Sequence, residues 1–206
     1  MLTAFTVESH CSTDARSQAE ARGYLSGHAS MNDNRIPASI RVRKPRLRPG
    51  ICGIVSPKRK SGRAAVVDAS VAVKWVVDEP GTAEALALRG HVRLFAPELW
   101  VAECANILWK KVHRGELTRK EAAIAGRLLQ AADVEFLSSH HLLFQVAQIA
   151  MELDHPAYDC LYLALAMEQG CHFVTADAHF LRLLSHQKSP YGHWVLGLSQ
   201  AVSEYE

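Results

Sequence analysis

Ala64-Ala65-Val66-Val67-Asp68 is a run of four apolar residues closed by a carboxylate. A run so short and uncharged suits a strand buried on both faces, as in a parallel sheet. His172-Phe173-Val174-Thr175 is a second short strand, followed after one residue by Asp177. Helical patterns fill the interval. Residues 70–77 read as a helix start that Glu79-Pro80-Gly81 breaks, residues 82–89 as a second helix, and Arg93-Leu94-Phe95 as a strand. Pro97 is expected to open a helix of about four turns that runs to residue 112 and stops before Gly115. Thr118 and Glu121 have the spacing of a capping box, Val134-Glu135-Phe136-Leu137 reads as a strand, and residues 139–153 read as helix. Pro156 begins a helix that Gly170 stops, Asp177 caps a short helix to residue 184, and His193-Trp194-Val195-Leu196 is the last expected strand. Strands separated by helices predict an α/β domain with a mainly parallel sheet over residues 64–206.

The rest of the chain is different in kind. Residues 1–63 hold 12 Lys and Arg against 4 Asp and Glu, a balance of +8, whereas residues 64–206 hold 11 against 17, a balance of −6. The net charge of +2 hides that split. The first segment shows no periodicity and carries the basic runs Arg41-Val42-Arg43-Lys44-Pro45-Arg46-Leu47-Arg48 and Lys58-Arg59-Lys60. It buries too little apolar surface to offset chain entropy, and is expected to be a disordered basic extension. Two origins fit it: an arm that neutralises nucleic-acid phosphates, or an accidental extension from an upstream start of translation.

Overall, 49% hydrophobic and 21% charged residues suit one globular core and exclude a collagen-like, coiled-coil or wholly disordered chain. No stretch approaches the ~18–20 apolar residues of a membrane-spanning helix. The first 30 residues lack the apolar region of a secretory signal, so the expected location is the cytoplasm. Cys11, Cys52, Cys104, Cys160 and Cys171 are odd in number and none is spaced as CxxC, which predicts free, mostly buried thiols rather than disulfides or a zinc site.

The carboxylates carry the chemical signal. Asp68 ends the first strand, Asp159 lies in the first turn of a helix whose next eight residues are uncharged, and Asp177 follows the strand ending at Thr175. In open parallel sheets, ligand sites assemble where strands hand over to helices. At 100° per residue, Glu103, Asn106, Lys110 and His113 share a narrow polar arc of the helix after Pro97, the rest of which reads as mostly buried. Between Arg127 and Arg182 there are 54 residues with no Lys or Arg but seven Asp and Glu. Acids in apolar surroundings without basic partners call for a cation, and an all-oxygen donor set selects Mg²⁺, with Mn²⁺ as a substitute, over zinc. Each acid also has a plainer role: Asp68 and Asp177 as helix N-caps, Asp159 as a first-turn acid, Glu103 as a surface partner of Lys110.

The segments Val67-Asp68-Ala69-Ser70, 97–106 (PELWVAECAN), 158–166 (YDCLYLALA) and Thr175-Ala176-Asp177 resemble the PIN-domain ribonucleases, above all the VapC toxins of bacterial toxin–antitoxin pairs. The likeness spans roughly residues 64–200; residues 1–63 lie outside it. It implies a three-layer α/β/α domain with a short, mainly parallel sheet. It further implies a Mg²⁺-dependent endoribonuclease in which Asp68, Glu103, Asp159 and Asp177 form the acidic quartet. Asp68 and Asp159 would be direct metal ligands, and Ser70, Asn106 and Thr175 substrate-positioning groups. The resemblance also implies a small VapB-like antitoxin that occupies the site, and a homodimer.

Two rivals differ in chemistry. A haloacid-dehalogenase-like phosphatase needs a second Asp two residues after the first, where this chain has Ser70, and a Lys near the later acids. A metal- or partner-binding module without turnover is separated from a nuclease by metal-dependent cleavage of RNA. His155 and His179 fall near the acids in sequence and read as structural, while Trp75, Trp100, Trp109 and Tyr162 read as core or dimer interface. A body at −6 repels RNA, so Lys110-Lys111 and Arg114 are the expected points of approach.

Overall fold

Val66 and Val67 are fully buried because β1 (Ala64–Val67) is the middle strand of five. In the computed structural model, which describes residues 63–186 and 189–205, the sheet order is β3-β2-β1-β4-β5 and every pairing is parallel. The disordered extension expected over residues 1–63 lies, but for Arg63, outside the described residues, as do Cys11 and Cys52.

The chain passes from β1 through α1 (Ala69–Val73) and α2 (Thr82–His91) to β2 (Arg93–Pro97), then through α3 (Leu99–His113) and α4 (Arg119–Gln130) to β3 (Val134–Leu137). A 3₁₀ turn, α5 (Leu143–Leu153) and α6 (Ala157–Gln169) return it to β4 (His172–Thr175), on the other side of β1. After α7 (Ala178–His186), β5 (Val195–Gly197) and α8 (Leu198–Tyr205) complete the three-layer α/β/α fold. Successive strands leave β1 in opposite directions, so the carboxyl ends of β1 and β4 flank the point where the order reverses, the usual place for a site in such sheets.

The local signals behave as their chemistry requires. Thr118 and Glu121 form a capping box: Thr118 Oγ1 accepts from the Glu121 amide at 3.2 Å, and Glu121 Oε2 accepts from the Thr118 amide at 2.7 Å. Gly170 ends α6 in the left-handed conformation at φ 60°.

Four expectations need correction. Pro97 closes β2 instead of opening α3, since its ring tolerates a strand end as well as a helix start. The last strand is shifted, with residues 192–194 in a 3₁₀ turn, and α8 follows it unannounced. Helix α3 is only half-buried: Trp100, Cys104, Leu108 and Lys111 face inward, while Val101 is 56% and Trp109 60% exposed, so Trp109 is not in this chain's core. Lys111 is withdrawn from the surface, donating to Glu79 at 2.7 Å and Glu116 at 3.1 Å, which leaves Lys110 and Arg114 exposed. Trp75, Trp100 and Tyr162 are buried, as are Cys104 and Cys160, and Cys171 is partly so; all three thiols are free.

Candidate functional site

Asp68 lies one residue past β1, where its backbone amide still bonds to Val174 O at 3.0 Å and locks the strand end against β4. Its extended backbone (φ −72°, ψ 151°) starts α1, and Oδ1 accepts from the Ser70 amide at 3.2 Å, the plain N-cap role. The second oxygen does something a cap does not need. Oδ2 accepts from Ser70 Oγ at 2.7 Å and from Thr175 Oγ1 at 2.5 Å, so β1 and β4 meet at one carboxylate oxygen. The residue is buried. Burial pushes its pKa above the ordinary value, the Asp159 charge adds to the rise, and the Thr175 and Ser70 bonds oppose it.

Glu103 reaches the same neighbourhood from α3 and Asp159 from the first turn of α6. Burial raises the Glu103 pKa, with the charges of Asp68 and Asp159 acting in the same direction against a hydrogen bond from Tyr162. The structure therefore gathers three acids closely enough that the Asp159 charge is felt at both Asp68 and Glu103, and the Asp68 charge at Glu103. Among the described residues none of the three forms an ion pair with Lys or Arg; their partners are hydroxyls, an amide and one imidazole.

Asp177 is bonded differently. Its Oδ1 caps α7, accepting from the amides of His179 at 2.7 Å and Phe180 at 3.2 Å, and its own amide donates to Thr175 Oγ1 at 3.0 Å. It is thus tied to the Asp68 cluster through Thr175. Ser70 Oγ also accepts from the Ala176 amide at 3.2 Å, so Ser70 and Thr175 brace the floor between β1 and β4. Asn106 is exposed one turn along α3 from Glu103. Among the described residues no three His, Cys, Asp or Glu side chains converge tightly enough to hold an ion as they are posed. The donor set is nevertheless all oxygen, and a divalent ion would favour the charged forms that burial, and after it like charge, penalises at Asp68 and Glu103.

Two residues in this neighbourhood escaped functional notice in the sequence. Tyr162 donates its hydroxyl to Glu103 Oε2 while its ring stacks on Phe173, centroids 5.3 Å apart. His155 Nε2 lies 2.8 Å from Asp159 Oδ2, its ring packed on Phe180 at 4.9 Å and stacked with His179 at 5.9 Å. The turn that presents it includes Asp154 at φ 48°, a conformation Asp tolerates better than most residues. Spacing was the available signal: residue 162 is i+3 from Asp159 on the same face of α6, and residue 155 lies four residues before Asp159 in the turn that leads into the helix. The hydroxyl of a tyrosine inside the run LYLALA also demands a buried partner.

The PIN domain family profile matches residues 65–183, more than half of the chain and all the acids above. The chain belongs to the PIN domain family. PIN domains are generally nucleases and typically bind divalent metal ions. Among solved structures, the fold is similar to that of PAE2754 from Pyrobaculum aerophilum, with a TM-score of 0.53 and 21% sequence identity over 69% of this chain and 89% of that one. No curated protein is significantly similar in sequence. Among the described residues of this PIN domain, no helix is long and apolar enough to cross a membrane.

Proposed function

We propose that this PIN domain is a metal-dependent endoribonuclease, the toxin of a VapC-type toxin–antitoxin pair acting in the cytoplasm. The observation that carries the reading is the grouping of Asp68, Glu103 and Asp159 at the switch point of a parallel sheet, with hydroxyls, an amide and an imidazole where structural acids would have Lys or Arg. In this reading Asp68 and Asp159 hold Mg²⁺, or Mn²⁺ in its place, Glu103 positions the attacking water or a second ion, and Asp177 completes the outer shell. Ser70 and Thr175 fix the Asp68 carboxylate, and Asn106 meets the substrate at the mouth of the site. A divalent ion bound there supplies a more acidic water and stabilises charge on the departing oxygen of the phosphodiester.

The same acidity suits a basic segment of a small VapB-like antitoxin as inhibitor. A homodimer fits the apolar side chains of α5, where Leu143, Phe144 and Met151 are each 74% exposed. A second reading, a PIN domain that binds a partner without turnover, is favoured by one observation: among the described residues no three ligating side chains converge as posed.

The two readings part in one experiment. Total bacterial RNA is incubated with the full chain in Mg²⁺ or EDTA, beside Asp159→Asn. Discrete fragments that require both metal and Asp159 support the nuclease. Intact RNA in every lane, from folded protein, supports the binding module.

A further inference from the structure

Helix α6 contributes more to the acid cluster than Asp159. One turn further along the same face, Tyr162 is 1% exposed, and its hydroxyl crosses to α3 to bond Glu103 Oε2. The ring is held on both counts that matter. It is stacked at an interplanar angle of 12° on Phe173 of β4, and Phe173 in turn packs against Phe180 of α7. Burial and the neighbouring Glu103 carboxylate push the phenol pKa far above its ordinary value, so the group donates throughout the working pH range.

A core tyrosine needs one partner for its hydroxyl, and a backbone carbonyl would serve. Here the partner is instead a half-buried carboxylate that two other acids already repel. Glu103 sits on a helix whose outer face is exposed, and nothing else among the described residues bonds its carboxylate. With its side-chain bonds free to rotate, an unheld glutamate repelled by two like charges would swing outward.

We propose that Tyr162 is a positioning residue: its hydroxyl holds Glu103 in the acid cluster, so that α6 sets both the Asp159 carboxylate and the distance at which Glu103 faces it. Oε2 is committed to the phenol, and Oε1 is the oxygen left for an ion or its water. This rests on the metal-site reading above, and it adds that the site is assembled through the α3–α6 contact rather than by each acid alone.

A double-mutant cycle on the full chain tests it, with Mn²⁺ affinity measured by calorimetry and RNA cleavage measured as kcat and KM separately. Tyr162→Phe keeps the ring, its stack and its volume, so the melting temperature reports whether the fold is intact. The expected result is a loss of about tenfold in Mn²⁺ affinity, within the range for groups that orient ligands. A fall in kcat should accompany it, with KM for RNA nearly unchanged. If Tyr162 acts only through Glu103, Tyr162→Phe in a Glu103→Ala background, which removes the acceptor, should change nothing further. Wild-type affinity in Tyr162→Phe, or additive losses in the double variant, would overturn the positioning role while leaving the metal site standing. A wild-type chain that binds no Mn²⁺ would overturn both.

Discussion

Asp68 carries a negative charge in a place that penalises it, and the penalty has a sign. Its pKa is higher in the folded chain than in the unfolded one, because burial and Asp159 disfavour the charged form. The folded state therefore binds the proton more tightly. Its contribution to stability is fully present below the ordinary carboxylate value and is lost as pH rises through the folded value. At pH 7 an uncharged isostere should relieve the strain: with its one carbonyl oxygen in the Oδ2 position, Asn still accepts from the Ser70 and Thr175 hydroxyls and gives up only the longer bond from the Ser70 amide. Asp68→Asn in EDTA is expected to melt at or above the wild-type temperature, with each kcal/mol gained worth roughly 2–4 °C. Mg²⁺ should stabilise the wild type and not the variant. Thermal melts of both proteins with and without metal decide this, and a variant that melts lower in EDTA sinks it. The carboxylates were legible in sequence because charge is conspicuous in apolar runs. The partners Tyr162 and His155 were not, because an aromatic in a core helix and a histidine at a turn each have an ordinary structural reading. Only the fold shows that both face acids.

At the scale of elements, the strands β1 to β4 were readable because each is a short run whose neighbours are helical, and Thr118–Glu121 because a capping box is wholly local. What sequence misjudged was the facing of α3. Its apolar residues circle most of the helix, and only packing on α1 and α4 selects the side that is buried. That packing draws Lys111 inward onto Glu79, which also accepts from Lys74 at 2.9 Å. One carboxylate in the turn between α1 and α2 thus anchors α3. Burial opposes its ionisation, but Lys111 and Lys74 outweigh burial and hold its pKa below the usual 4.5. The sign is the reverse of Asp68: Glu79 contributes stability above its unfolded pKa, lost as pH falls through the lower folded value. Glu79→Gln leaves Lys111 with Glu116 alone and should cost about 2–3 kcal/mol at pH 7, below the full cost of stranding a buried charge. Its acid unfolding limb should also be shallower than wild type below pH 4.5. Urea titrations at neutral and acid pH measure both, and equal losses at both pH values would remove Glu79 from the account.

The whole molecule presents two surfaces of opposite character. One is the acid cluster, set in a body whose formal balance is −6 and whose exposed cations near α3 are Lys110 and Arg114, Lys111 being spent internally. The other is α5, where Leu143, Phe144 and Met151 lie on one helical face, each 74% exposed, with Tyr158 at the start of α6 62% exposed. A face with three large apolar side chains in water is expected to be covered, and the homodimer of the proposed function would cover it without any further component. A phenylalanine buries on the order of 150–250 Å². At ~25 cal/mol per Å², removing Phe144 from both copies would weaken a two-fold interface by several kcal/mol. A charge in its place adds repulsion between the copies. The full chain is therefore expected to run as a dimer by light scattering at micromolar concentration, and Phe144→Arg as a folded monomer whose melting temperature is lower by the lost dimer stabilisation and no longer depends on protein concentration. Because Phe144 is exposed, its replacement should leave the acid cluster and its Mg²⁺ binding intact. A wild-type chain that is monomeric at those concentrations, or a Phe144→Arg chain that remains dimeric, would assign α5 to some other partner.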